Sequence, residues 1–274
     1  FDKPEVEGFL ELENASGNIP QLGLNLEKAN LMAKSRGTER IVLQGDVTSG
    51  AGKLDLNGEV LLDRSKGWPL KLSAEGENLQ LARLPEAEIV ASPNLEIQLA
   101  NHILDIKGGI LIPQANIEIR ELPKKAVSLS DDELIIGDST APKATNPLMV
   151  INTQVAITLG DQVRFKGFGL NTRIQGGVEL HGSEGKNLAQ GKLSLKEGYY
   201  KAYGQDLTIE HGRRLFNGPA QNPDLDIKAT RLSQDEAVTA ILSVSGSLRK
   251  PLVTVSSTPS LPDEEALSYL LTGR

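Results

Sequence analysis

The chain has 274 residues, of which 39% are hydrophobic and 4% aromatic, with a formal net charge of -7 and no cysteine. That length suits one large all-β domain or two smaller ones, and the missing thiols exclude a disulfide scaffold, a thiolate metal site and a cysteine nucleophile. The rings are too few for the aromatic girdles of an outer-membrane barrel. With 29 Lys and Arg against 36 Asp and Glu, there is no basic footprint for nucleic acid.

The chain begins at Phe1 without an initiator methionine and contains no long apolar run. It is read as a segment of a longer protein, with any anchor or targeting signal expected outside it. Residues 27–36 read equally as a short helix or a strand. Beyond them period-two alternation dominates. Leu54, Leu56 and Val60 alternate with polar residues, as do Leu104, Ile106, Ile110 and Ile112. Ile117 and Ile119 follow Ala115, with Asn116, Glu118 and Arg120 between and beyond them. The pattern returns in Val155, Ile157 and Leu159, in Ile174, Val178 and Leu180, and in Leu193 and Leu195. It continues through Leu207 and Ile209, Leu225 and Ile227, and Val238, Leu242 and Val244. Successive strand side chains point to opposite faces, so each segment predicts one apolar and one wet face.

A motif of apolar-x-Gly-x-apolar recurs within this pattern at Gly45, Gly58, Gly108, Gly176, Gly191 and Gly246. Each glycine falls on the apolar face. Strand glycines mark bends, bulges or close backbone approach, so the repetition predicts a sheet that bends over at the middle of each strand. An ordinary twisted sandwich with glycine kinks is the alternative. Residues 123–147, with Pro123, Pro142 and Pro147 among Ser, Asp, Lys and Thr, read as a partly mobile loop. It divides the chain into β segments 1–122 and 148–260. Residues 261–274 predict a short amphipathic helix, with Ser260 as N-cap, Asp263 at N3, Ala266, Leu267, Leu270 and Leu271 as its stripe and Gly273 as its stop.

Nothing in the sequence assembles a catalytic site. His102, His181 and His211 are far apart and match no metal-ligand spacing. The carboxylates of Asp131-Asp132-Glu133 and Asp263-Glu264-Glu265 are explained by a turn and a helix start. No cofactor is predicted. The Tyr199-Tyr200-Lys201-Ala202-Tyr203 cluster reads as cross-strand packing or as a groove rim. What stands out is the aliphatic face itself. It must fold on itself, close as a barrel, or remain a groove for an apolar ligand. Flexible acyl chains suit an aliphatic lining that offers no directional polar partner.

Four stretches carry a family resemblance. They are Ile106 to Pro123 with Ala126 to Asp132; Val163 to Gly176; Gly191 to Ile209 with Phe216-Asn-Gly218 and Asn222 to Asp226; and Val244 to Pro251 with Ser260-Leu-Pro262 and Leu267 to Leu271. In this order they resemble the C-terminal region of the TamB family of AsmA-like bridge proteins, over most of residues 103–274. The resemblance implies a long, taco-like, open β-groove with an aliphatic interior, lined here by the alternating residues named above. It implies a periplasmic, non-enzymatic role in carrying phospholipid acyl chains to the outer membrane, with an inner-membrane anchor in the full-length protein. It also implies the outer-membrane barrel TamA as partner, and nascent outer-membrane proteins as possible clients. Assembly of barrel proteins by β-augmentation is the alternative function.

Overall fold

A computed structural model describes residues 7–20, 23–37, 39–119, 149–167, 169–183, 186–202 and 205–273. The strands are β1 (Phe9–Ile19), β2 (Leu24–Ser35), β3 (Arg40–Ser49), β4 (Gly52–Leu61), β5 (Leu70–Glu77), β6 (Leu79–Leu84), β7 (Ala87–Ala100) and β8 (Ile103–Ile119). They continue as β9 (Val150–Gly167), β10 (Leu170–Ser183), β11 (Lys186–Ala202), β12 (Gln205–Pro219), β13 (Asp224–Leu232), β14 (Thr239–Ser247) and β15 (Lys250–Thr258). One helix, α1 (Asp263–Thr272), follows. Residues 27–35 of the ambiguous stretch lie in β2, where Ala29, Leu31 and Ala33 pair with Val47, Gly45 and Leu43 and so continue the aliphatic face.

All fifteen strands belong to a single sheet, and β1 and β15 end its path without pairing with each other. The sheet is therefore open: neither a sandwich of two sheets nor a closed barrel. Neighbours pair antiparallel except β8 and β9, which run parallel from Ile103 beside Val150 to Ile119 beside Gly167. The expected loop 123–147, with Asp131-Asp132-Glu133, lies outside the described residues. The strand β7 is shared. Its second half, Asn94 to Leu99, pairs with β5, and its first half, Ala87 to Ala91, pairs with β6. The strand β6 crosses the turn between β3 and β4, where Ser49 Oγ donates to the Gln80 carbonyl at 3.0 Å.

From β7 to β13 the interruptions of register fall in a line. They occur between Val90 and Ser92, Ile112 and Gln114, Arg173 and Gly176, Thr172 and Arg173, and Ile209 and His211. An extra residue bends its strand and increases its twist, so neighbouring bulges crease the sheet from β7 to β13. The recurrent glycines do not share this line. Gly108 lies level with Val155, Gly176 with Leu159 and Gly191 with Val178, so they occupy different rows of the ladder. Their role is close approach. A Cβ on Gly108, at φ +132°, would lie 2.1 Å from the Asn94 carbonyl oxygen. On Gly176, at φ +121°, it would lie 2.2 Å from that of Lys192.

The helix ends as its sequence predicts, with Gly273 at φ 80° and its N–H donating to the Tyr269 carbonyl. Its start differs. Pro262 is the N-cap and no side chain caps the first turn, so Ser260 does not play the expected part. Ser257 organises this approach instead: its hydroxyl donates to the Pro259 carbonyl at 2.8 Å and accepts from the Leu261 N–H at 3.0 Å. A serine fixed at the end of β15 holds the chain's entry into α1, and the Ser260 hydroxyl is not needed.

Replacing Gly108 by valine should force β7 and β8 apart. The strained backbone alone should cost about 1–3 kcal/mol. A urea midpoint equal to the parent's would show that this approach does not constrain the sheet.

Candidate functional site: an aliphatic sheet face

Directly paired residues share a face, so register traces one surface across the ladder. From Leu54, Leu56 and Val60 on β4 it passes to Gly76, Ala74 and Leu70 on β5, and from Leu70 and Leu72 to Leu99 and Ile97 on β7. It continues to Leu104, Ile106 and Ile110 on β8, and from Ile110, Ile112 and Ile117 to Ile157, Leu159 and Phe165 on β9. Ile119 meets Gly167. Val155 and Ile157 meet Leu180 and Val178, and Ile174 and Gly176 meet Leu195 and Leu193. Beyond β11, Tyr200 meets Leu207 and Ile209 meets Ala229. Ile227 meets Val244, and Leu242 and Val244 meet Val255 and Val253. Every predicted face residue on a strand lies on this surface, Leu225 included, opposite Gly246. Val238 lies just outside the ladder, before β14, and is buried.

Burial along this face is incomplete. Val155, Leu195, Leu207, Ile209, Leu225 and Val238 are buried, and the remaining predicted positions are half-buried. Leu207 is the largest side chain in the described structure with less than 2% exposure. The most completely buried apolar residues otherwise are mainly small, such as Ala91 and Ala240 at 0% and Ala189 and Ala229 at 2%. A filled core of this many strands would bury Leu, Ile and Val fully. Here they line a surface that the fold leaves largely open.

One end is covered. The helix α1 lies on the aliphatic face against β14 and β15. Leu270 joins Leu207, Ala229 and Ala240 in a cluster bordered by Tyr200, Leu242, Val255 and Tyr269. Tyr200 is thus a packing residue. Tyr199 faces the other way, where its hydroxyl accepts from Asn171 Nδ2 at 3.0 Å. Tyr203 lies outside the described residues. At the other end, on β1, Leu10 and Leu12 remain 65% and 47% exposed.

The ion pairs keep to one face. Paired ions such as Lys228 with Glu210 at 2.7 Å, Arg40 with Glu59 at 3.1 Å and Lys166 with Glu118 at 3.1 Å sit on the opposite face. The Glu210 carboxyl is held below the usual carboxylate range, chiefly by the hydrogen bond from Lys228. An open depression of about 710 Å³ on that polar face is lined by Glu11, Asp46, Asp55 and Glu75 among others. Asn30 Nδ2 donates to both oxygens of Asp46 there, at 3.2 and 3.3 Å. Among the described residues no three His, Asp or Glu side chains are grouped as metal ligands, and no helix is long and apolar enough to cross a membrane. His181 and His211 rest beside Glu179 and Asp226, at 3.6 and 3.5 Å.

Register places Arg214 and Arg231 on the aliphatic face. Arg214 lies between Leu193 and Leu225, and Arg231 lies opposite Ala240. Simple alternation from Leu207 and Ile209 would have turned Arg214 outward and Leu215 inward. The bulge between Ile209 and His211 reverses that parity, and Leu215 is 42% exposed. Glu210 followed by His211 and Gly212 is the only sequence signal of the bulge, and alternation alone does not read it.

The motif order described above agrees with the comparisons. The sequence model of the TamB C-terminal domain matches residues 43–274. The chain belongs to the TamB family. The family match reaches well into the first half, where the sequence resembles the family in pattern more than in motif. The chain is also 30% identical over 287 aligned residues to the translocation and assembly module subunit TamB of Haemophilus influenzae. That alignment covers 100% of this chain and 22% of the relative, so the chain spans about a fifth of that protein's length.

Truncating Leu270 to alanine removes the main anchor of α1, and buried Leu-to-Ala changes cost about 2–5 kcal/mol. The expected result is faster amide exchange in α1 and β14, with β3 to β5 unchanged. Uniform protection would mean that the helix is not held by this contact.

Proposed function

We propose that this segment is a non-enzymatic hydrophobic conduit. The aliphatic face shields phospholipid acyl chains in the periplasm while headgroups stay in water. In the full-length protein it would work with the outer-membrane barrel TamA, and an anchor outside this segment would hold the protein in the inner membrane. The observation that carries this reading is the half-burial of Leu, Ile and Val along one unbroken face. Fourteen strands lie along the main path of the ladder. At about 4.8 Å per strand they present roughly 60 Å of surface, about three times the length of an extended sixteen-carbon chain. Sheathing half the methylenes of such a chain at about 0.8 kcal/mol each favours the bound state by roughly 6 kcal/mol. Similar side chains recur in successive rows, so neighbouring positions offer similar binding, as movement along the face requires.

A second reading, templating of nascent barrel strands by β-augmentation, is favoured by the unpaired edge of β15, where Leu252 and Val253 are 61% and 56% exposed. An exposed edge offers backbone donors and acceptors to an incoming strand.

The test is photocrosslinking within the full-length protein in the envelope of a diderm bacterium. A photoreactive residue at Ile110 should give phospholipid adducts, and one at the outward Lys107 or Lys196 should not. Leu195 is a poorer probe, because its side chain folds over Gly212. Ile110→Asp should abolish lipid adducts from Ile157 and leave strand content unchanged. Protein adducts alone would favour the templating reading, and no adducts from Ile110 or Ile157 would remove the basis of the conduit. Val253→Pro discriminates further. Pro251 already occupies that parity, so the β14 ladder stays whole. The conduit should tolerate this change and edge templating should not.

A further inference from the structure

Arg214 is out of place in its row. Register surrounds it with Leu193 on β11 and Leu225 on β13, and beyond Leu193 come Gly176, Leu159 and Ile112. It stands two residues from Gly212, beside the crease, and five residues short of the end of β12 at Pro219. Register sets no Asp or Glu on this face among the described residues. Arg231, on the same face, has a structural partner: its Nη1 donates to the Leu270 carbonyl at 2.8 Å, at the C-terminal end of α1, where a cation is favoured. Arg213, one residue away, lies on the opposite face across from Asp226. Arg214 has neither kind of partner. Burial lowers its pKa, and burial is the one cause acting on it. It stays protonated at neutral pH regardless, because guanidinium does not deprotonate in proteins.

A cation drawn partly out of water and left unpaired is unfavourable. An aliphatic residue at this position would continue the row at no such cost. The guanidinium offers five N–H donors in a planar fork, which matches phosphate oxygens with two parallel hydrogen bonds. The aliphatic rows on either side would meanwhile receive apolar chains.

We propose that Arg214 anchors the phosphate oxyanion of an amphiphile whose acyl chains lie on the neighbouring aliphatic rows. This rests on the conduit reading and adds a headgroup station to it. The guanidinium holds one headgroup beside the crease and fixes how its chains enter the rows of Leu193 and Leu225. An anionic or zwitterionic phosphodiester is bound here in preference to an uncharged lipid with the same chains. Inorganic phosphate offers the same oxygens without the chains, and the experiment separates the two.

The 274-residue chain is titrated with dihexanoyl phosphatidylglycerol, dihexanoylglycerol and inorganic phosphate, followed by NMR at the arginine side-chain N–H resonances. The parent should bind phosphatidylglycerol more tightly than dihexanoylglycerol and shift the Arg214 resonance. Arg214→Met should weaken phosphatidylglycerol about tenfold, the loss of one charge-assisted pair, and leave dihexanoylglycerol within about twofold. Arg214→Lys should fall between, keeping the charge without the fork. Strand content by circular dichroism checks each variant, and Arg214→Gln replaces the methionine variant if that one does not fold. Equal phosphatidylglycerol binding by parent and neutral variant, with dihexanoylglycerol still bound, would overturn the anchor and leave the conduit standing. Equal weakening of both lipids would assign Arg214 a packing role and also overturn it. Inorganic phosphate bound as tightly as phosphatidylglycerol would make the site an anion site uncoupled from the face. Failure of the parent to bind either lipid would overturn the conduit and the anchor together.

Discussion

An apolar face that the described residues cover only in part governs this structure. Each strand must put its Leu, Ile and Val on one side to keep the ladder in register, because a slip of one residue would move them all to the wet side. Among the described residues one ten-residue helix lies on that side. The helix suffices for the rows around Leu207, Ala229 and Ala240 and for no more. Elsewhere the aliphatic residues shelter one another only partly, and the fully buried positions go to alanine. Glycine serves the same constraint from the backbone side. At Gly108 and Gly176 a neighbouring carbonyl comes so close that a methyl group has no room.

The crease is the second element of the design. Bulges on adjacent strands line up, so the bend belongs to the sheet rather than to any one strand. Each bulge also resets which residues face which side. This is how one uninterrupted aliphatic surface runs through segments whose alternation changes phase at Pro113, at Glu197 and at Glu210. The phase change at Glu210 turns an arginine into the aliphatic rows.

The ion pairs divide the sheet as hydropathy does. The ion pairs stand on the wet face, where they are solvated and each contributes little to stability. On the aliphatic face Arg231 completes the end of the helix, and Arg214 has only apolar neighbours. In the proposed conduit a flexible chain would slide over the aliphatic rows, and the Arg214 fork of donors would give it a place to stop. Family membership and the open face support the same reading. A conduit needs continuity more than a pocket, and continuity is what the ladder provides.

By itself the sequence determined the face. Period-two alternation is a local property of strands, so the residues from Leu54 to Val244 could be assigned to one side without knowing their neighbours. The stop at Gly273 was legible for the same reason, since a left-handed residue ends a helix whatever surrounds it. Only the tertiary structure decided the rest. Residues 27–35 became a strand because β1 and β3 flank them, not through their own propensity. Ser260 lost its capping role to Ser257, three residues upstream and tied to the turn after β15. Arg214 came to face the aliphatic rows through a bulge that exists only as a mismatch between two paired strands. How much of the face stays open was decided last, because exposure depends on what else in the fold comes to lie against it.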